Sequence, residues 1–149
     1  MPPSLKEQFS DPALRRVVVK DAVDVLEAEV KDKPGLGGMA IKAAFGVLKS
    51  VSPGVLQQLV DKLLAEFAEA IDPLYQKAVL AGQAPGAAVL ADPSATAQAL
   101  LAVTDRRAAR AGGDVIKKTY QKLRPSAEKH VEAAAPRLAG LLNKHALPG

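Results

Sequence analysis

Cysteine and tryptophan are absent from the 149 residues, and the three phenylalanines and two tyrosines make up only 3% of the chain. Without cysteine there is no disulfide scaffold, thiolate zinc site, iron–sulfur cluster or thiol nucleophile, and an oxidising compartment gains no support. The expected location is cytoplasmic. Long apolar runs are missing too. The most apolar stretch, residues 36 to 51, falls short of the roughly 20 residues a membrane-spanning helix needs, so no membrane span is expected. The start, Met1-Pro2-Pro3-Ser4-Leu5-Lys6-Glu7, lacks the basic and apolar regions of a secretory signal, and Pro2 stands where myristoylation requires glycine.

What is present is largely aliphatic and small: hydrophobic residues make up 48%, with 20 Lys+Arg against 16 Asp+Glu for a net charge of +4. A chain of this length suits one domain and buries roughly 68–70% of its unfolded surface, so neither metal nor disulfide is needed to hold it. The charge is uneven, with residues 1–100 summing to −2 and residues 101–149 to +6.

Apolar residues recur at three- and four-residue spacing through most of the chain, and no stretch alternates with period two, which predicts an all-α fold. Asp11-Pro12, Ser52-Pro53, Asp72-Pro73 and Asp92-Pro93 each place a capping residue before a proline at a first helical position, where its missing N–H costs nothing. The spacing predicts a helix over 12–31, with Leu14, Val17, Val18, Ala22, Val25, Leu26 and Val30 inward. A second, over 36–51, reads as a central buried hairpin helix whose Gly38, Ala40, Ala43 and Gly46 permit close approach. The third, from Pro53 to about Ile71, has the strongest pattern, with Leu56, Leu59, Val60, Leu63, Leu64, Phe67 and Ile71 on one face. Asp72-Pro73 either kinks it or begins a short helix through Leu80. Gly82 to Gly86 is a loop, Ala87 to Ala91 an unassigned apolar patch, and Pro93 to Ala111 a further helix. Asp114 to Ala146 is helical with interruptions at Pro125 and Pro136, and the register held across Pro136 predicts a kink there. The whole reads as a compact bundle of five to seven helices, one domain over 1–149, with residues 1–10 as a short N-terminal arm.

Gly35-Leu36-Gly37-Gly38-Met39-Ala40 matches the permissive dinucleotide fingerprint, but an amphipathic helix precedes it where the mechanism needs a strand, so a helix-to-helix turn is expected. His130 and His145 have no metal-binding partner spacing, and Glu66, Glu69 and Asp72 read as a solvated acidic face. No metal and no cofactor are expected. There is no nucleophile elbow, and Glu27 and Glu29 do not face each other on a helix. The chain is therefore read as not an enzyme.

The basic third is the most suggestive feature. Arg106, Arg107 and Arg110 precede Gly112-Gly113, and Lys117, Lys118, Lys122 and Arg124 follow beside Ile116, Tyr120 and Leu123. Folded back at the glycines, these seven charges form a weak anion- or nucleic-acid-binding patch of a salt-sensitive kind, the alternative to a binding or assembly role. Nucleic acid is not favoured, since Tyr120 alone makes no base-stacking platform and Asp105, Asp114 and Glu128 dilute the field. A core of Ala, Val and Leu equally suits an apolar ligand such as an acyl chain, self-association through helix 36–51, or another protein partner.

The stretches 11 to 54, LLAVTDRRAAR (100 to 110) and YQKLRPSAEKHVEAAAPRLAGLL (120 to 142) resemble a family of small uncharacterised all-helical bacterial proteins. The resemblance implies one globular helical domain and supplies no activity, cofactor or site residue.

Overall fold

Proline begins some helices of this chain and passes through the interior of others. The computed structural model describes residues 2–33, 35–51, 54–110 and 113–148. Pro34, the Ser52-Pro53 start and Gly112 lie outside the described residues. Eight helices occur among those described: α1 (Leu5–Gln8), α2 (Pro12–Asp32), α3 (Gly35–Val51), α4 (Val55–Leu80), α5 (Ala87–Ala91), α6 (Pro93–Arg110), α7 (Asp114–Ala133) and α8 (Ala135–His145), with no strand among the described residues. The count exceeds five to seven because α1 and α5 are single turns. The first falls in the segment expected as an arm and the second in the unassigned patch.

Asp11 and Asp92 cap as expected: their carboxylates accept from the backbone N–H of Leu14 at 3.0 Å and of Ala95 at 3.0 Å, satisfying donors that a helix start otherwise orphans. Asp72 does something else. α4 runs through Pro73 without ending, and the Asp72 carboxylate instead accepts from the N–H of Leu5 at 2.9 Å, so it caps α1 from another helix. Pro125 likewise lies inside α7 and interrupts nothing. The carbonyls these prolines leave without a ladder partner belong to Glu69 and Gln121, at exposed positions where water can reach them.

At Pro136 the expectation of one kinked helix is corrected. α7 stops at Ala133, the chain turns at Ala134, and α8 restarts with Pro136 in its first turn. The reason is burial on a new partner: Ala135, Ala139 and Leu142 pack inward on α8, and Gly86 lies so close to Ala139 that a Cβ there would strike its backbone. The Gly86 N–H donates to the Asn143 side chain at 2.7 Å, tying the start of α5 to α8.

The longest helix, α4, packs against α1, α2, α3, α5 and α6. Its Tyr75 is 0% exposed. The Tyr75 hydroxyl donates to the carbonyl of Leu147 at 2.6 Å and accepts from the Gln8 amide at 2.9 Å, and Gln8 in turn accepts from the N–H of Leu147 at 2.8 Å. Both ends of the described chain are thereby bonded to the C-terminal part of α4.

Two further expectations fail in detail. On α2 the buried residues are Val18, Val19 and Val23, while Val17 and Leu26 are exposed, because the helix must serve α4, α8 and α3 at once. α3 is not a central helix: Gly38, Ile41 and Leu48 are buried, but Met39, Ala40, Ala43, Gly46 and Val47 face outward. Apolar composition alone did not place it inside.

Two substitutions check this packing. Tyr75→Phe leaves Gln8 and Leu147 without their shared partner and costs about 1–3 kcal/mol in thermal or chemical denaturation. Gly86→Ala lowers stability by about 1–3 kcal/mol through overpacking on Ala139, whereas Gly140→Ala on α8, with open space around it, is neutral or gains up to about 1 kcal/mol.

Candidate functional site: a central apolar cavity

All eight helices contribute to one internal space. It has a volume of about 420 Å³ and is partly open to solvent. Leu5 and Phe9 come from the N-terminal turn, Val18 and Ala22 from α2, Ile41 and Phe45 from α3, Val89 from α5, Leu101 from α6, and Leu138 and Leu142 from α8. α4 supplies a row from Leu56 to Ile71. All three phenylalanines of the chain, Phe9, Phe45 and Phe67, line this space, and almost no polar atom faces it.

The opening follows from which lining residues remain half exposed. On α7 the side chains of Leu123, Ala127, His130 and Val131 line the space yet none is fully buried, and Leu63 and Phe67 on α4 and Val25 on α2 are likewise intermediate. α7 thus turns its apolar face across an incomplete wall instead of into a closed core.

Three titratable residues border the cavity: Glu29, Lys33 and His130. Glu29 and Lys33 are an i,i+4 pair at 3.2 Å with both side chains only 13% exposed. Arg137, from α8, also reaches Glu29 at 2.7 Å and Asp32 at 2.5 Å. Two cations and two carboxylates therefore close into a balanced cluster at the end of α2. The Arg137 hydrogen bond holds the Asp32 carboxyl below the usual range. Burial lowers the pKa of His130, and the charge of Lys33 lowers it further. This cluster escaped the sequence reading, although Glu29 and Lys33 carry the ordinary i,i+4 signal; Arg137 lies 108 residues away in sequence.

The two histidines divide what an acid–base site would need. His145 contacts the carboxylate of Asp21 at 2.5 Å, with Lys144 on the same oxygen at 3.1 Å, but this group stands apart from the cavity lining. The His145 and Lys144 hydrogen bonds lower the Asp21 pKa. His130 borders the cavity, and no hydrogen bond to its ring is formed among the described residues.

The basic residues sort into two groups. Arg107 turns inward to pair with Glu66 on α4, and Arg124 forks onto Asp105 at 2.8 and 3.0 Å. Tyr120 donates to the same carboxylate at 2.5 Å and shares a hydrogen bond with Thr104 at 2.7 Å, so these groups fasten α7 to α6. The pKa values of Glu66 and Asp105 fall accordingly, first through Arg107 and Arg124. Arg106, Arg110, Lys117, Lys118 and Lys122 are exposed; the side chain of Ile116 lies outside the described residues. Lys117 and Arg124 border a second, shallower depression with Ala108, Ala109 and Tyr120. The acidic trio is also divided: Glu66 holds Arg107, Glu69 holds Lys6 at 2.5 Å, and Asp72 caps α1. The glycine segment, expected as a helix-to-helix turn, instead forms the first turns of α3, with Gly35 at φ +71° and Gly38 packed against the carbonyl of Lys33.

A pH dependence follows from His130. Its folded pKa lies below the unfolded value, so below about pH 6.5 the unfolded chain takes up a proton that the folded state resists, and stability falls as pH drops. Urea denaturation of His130→Gln between pH 7 and 5 is expected to show a shallower loss than the parent. An unchanged slope assigns the loss to other groups.

None of the curated proteins and none of the solved structures matches the chain. A family model described as a family of unknown function, DUF6918, matches residues 5–146. That match takes in every helix from α1 to α8, and with them the whole wall of the cavity; the chain belongs to this family.

Proposed function

We propose that the protein is a non-enzymatic binding protein that holds one apolar, chain-like ligand, of acyl-chain character, in its central cavity. The observation that carries this reading is a space of about 420 Å³, partly open to solvent, whose lining is almost wholly apolar. Water that enters it meets almost no hydrogen-bond partner, so a hydrocarbon that displaces this water gains apolar burial and dispersion contacts.

The volume lies within the range of about 300–1,000 Å³ typical of small-molecule sites. Its lining selects hydrocarbon, because a polar group placed inside finds almost no partner and is penalised by desolvation. A polar end of the ligand therefore belongs at the open side. The basic hairpin supports phosphate binding less well, since Arg107 and Arg124 already hold Glu66 and Asp105.

Native mass spectrometry and solvent extraction of purified protein, together with titration by a fluorescent fatty-acid analogue, test the reading. The expected result is one ligand per chain. Ala68→Leu, on a buried wall position, and Ala127→Leu, on the half-buried rim, are expected to raise stability by about 0.5–2 kcal/mol through filling and to weaken analogue binding at least about tenfold. Protein that carries no ligand, binds no analogue, and is destabilised by both substitutions has a filled core, and the reading fails.

A further inference from the structure

α3 is apolar on both of its sides. Ile41 and Phe45 border the cavity and Leu48 is buried, whereas Met39 is 64% exposed and Val47 48% exposed. Ala43 and Gly46, also exposed, complete with them an outward strip at helical spacing. Lys42 and Lys49 run along one edge of it, and the helix contains no acidic residue. An apolar helix face is ordinarily buried in a core or in contact with lipid, yet this outer face stands at the surface of the bundle.

Two occupants fit an apolar face: a second copy or a lipid surface. In a two-fold interface the same patch meets itself, and neither copy's α3 carries an acidic residue to answer the lysines. Lys49 reaches Glu27 on α2 at 2.9 Å in an exposed pair, an interaction weak enough to exchange for another anion. An anionic bilayer surface answers both lysines at once, and their aliphatic stems can lie along the apolar strip while the ammonium groups reach phosphate.

We infer that the outer face of α3 adsorbs to an anionic bilayer surface, with Met39, Ala43 and Val47 at headgroup depth and Lys42 and Lys49 on the phosphates. The cavity then lies on the other side of the same helix, bordered by Ile41 and Phe45. This inference rests on the exposed face and not on the cavity being occupied, so its test and the ligand test fail separately.

The test is co-sedimentation with vesicles of phosphatidylcholine alone and of an equimolar phosphatidylcholine–phosphatidylglycerol mixture, at low and high salt. The protein is expected to pellet with the anionic vesicles, to be released by salt, and to ignore phosphatidylcholine alone. Each lysine contributes about fivefold to partitioning, so Lys42→Glu with Lys49→Glu lowers it at least about twentyfold, and Met39→Asp with Val47→Asp also abolishes pelleting. Both pairs lie at exposed positions and keep the helical circular dichroism spectrum and the fatty-acid-analogue affinity of the parent. Equal pelleting with neutral vesicles, no pelleting with either, or no effect of the lysine pair overturns the inference. So does a solution dimer that Met39→Asp dissociates, which assigns the face to a second copy.

Discussion

Helix axes pack about 8–10 Å apart, and the side chains between them must fill whatever that spacing leaves at the centre of an eight-helix arrangement. In this chain most of those side chains are Ala, Val and Leu, and the three phenylalanines all turn toward the centre without closing it. The architecture rests on this limit of volume. α4 can hold α1, α2, α5 and α6 along its length, but opposite its Leu63 and Phe67 the α7 side chains Leu123, Ala127, His130 and Val131 line the space while staying half exposed, and the wall is left incomplete. The polar ties lie around the periphery: Asp105 with Arg124, Glu66 with Arg107, Asp21 with His145, and Glu29 with Arg137. They fix where the helices sit and leave the interior to apolar contact.

The fold class was legible because helical spacing and Asp-Pro caps are local signals. Asp11 and Asp92 behaved as such signals because nothing else competed for their carboxylates. Asp72 did not, because the N–H of Leu5 lay within reach across 67 residues of sequence, and no local pattern encodes that. Pro136 misled for a related reason: the apolar register of Val131, Leu138 and Leu142 is the same for a kinked helix and for two helices, and only the burial of Ala135 and Ala139 against α5 decides between them.

The cavity was not legible at all, since a lining residue and a packed core residue are the same amino acid seen from one side. The seven basic residues were legible as charges but not as partners. Arg124 and Arg107 became structural because Asp105 and Glu66 face them from 19 and 41 residues away. The placement of α3 failed in the opposite direction: its composition asked for burial on every side, but a bundle already centred on α4 had only one side to offer.

The hydroxyl of Tyr75 carries a consequence for how the molecule opens. Gln8 and Leu147 are bonded to it and to each other, so neither terminal segment can peel away without stripping the other of a partner. Regions that share such bonds exchange and unfold together. Fraying, normally independent at the two ends of a chain, is here a single event governed by one phenolic oxygen in the middle of the sequence.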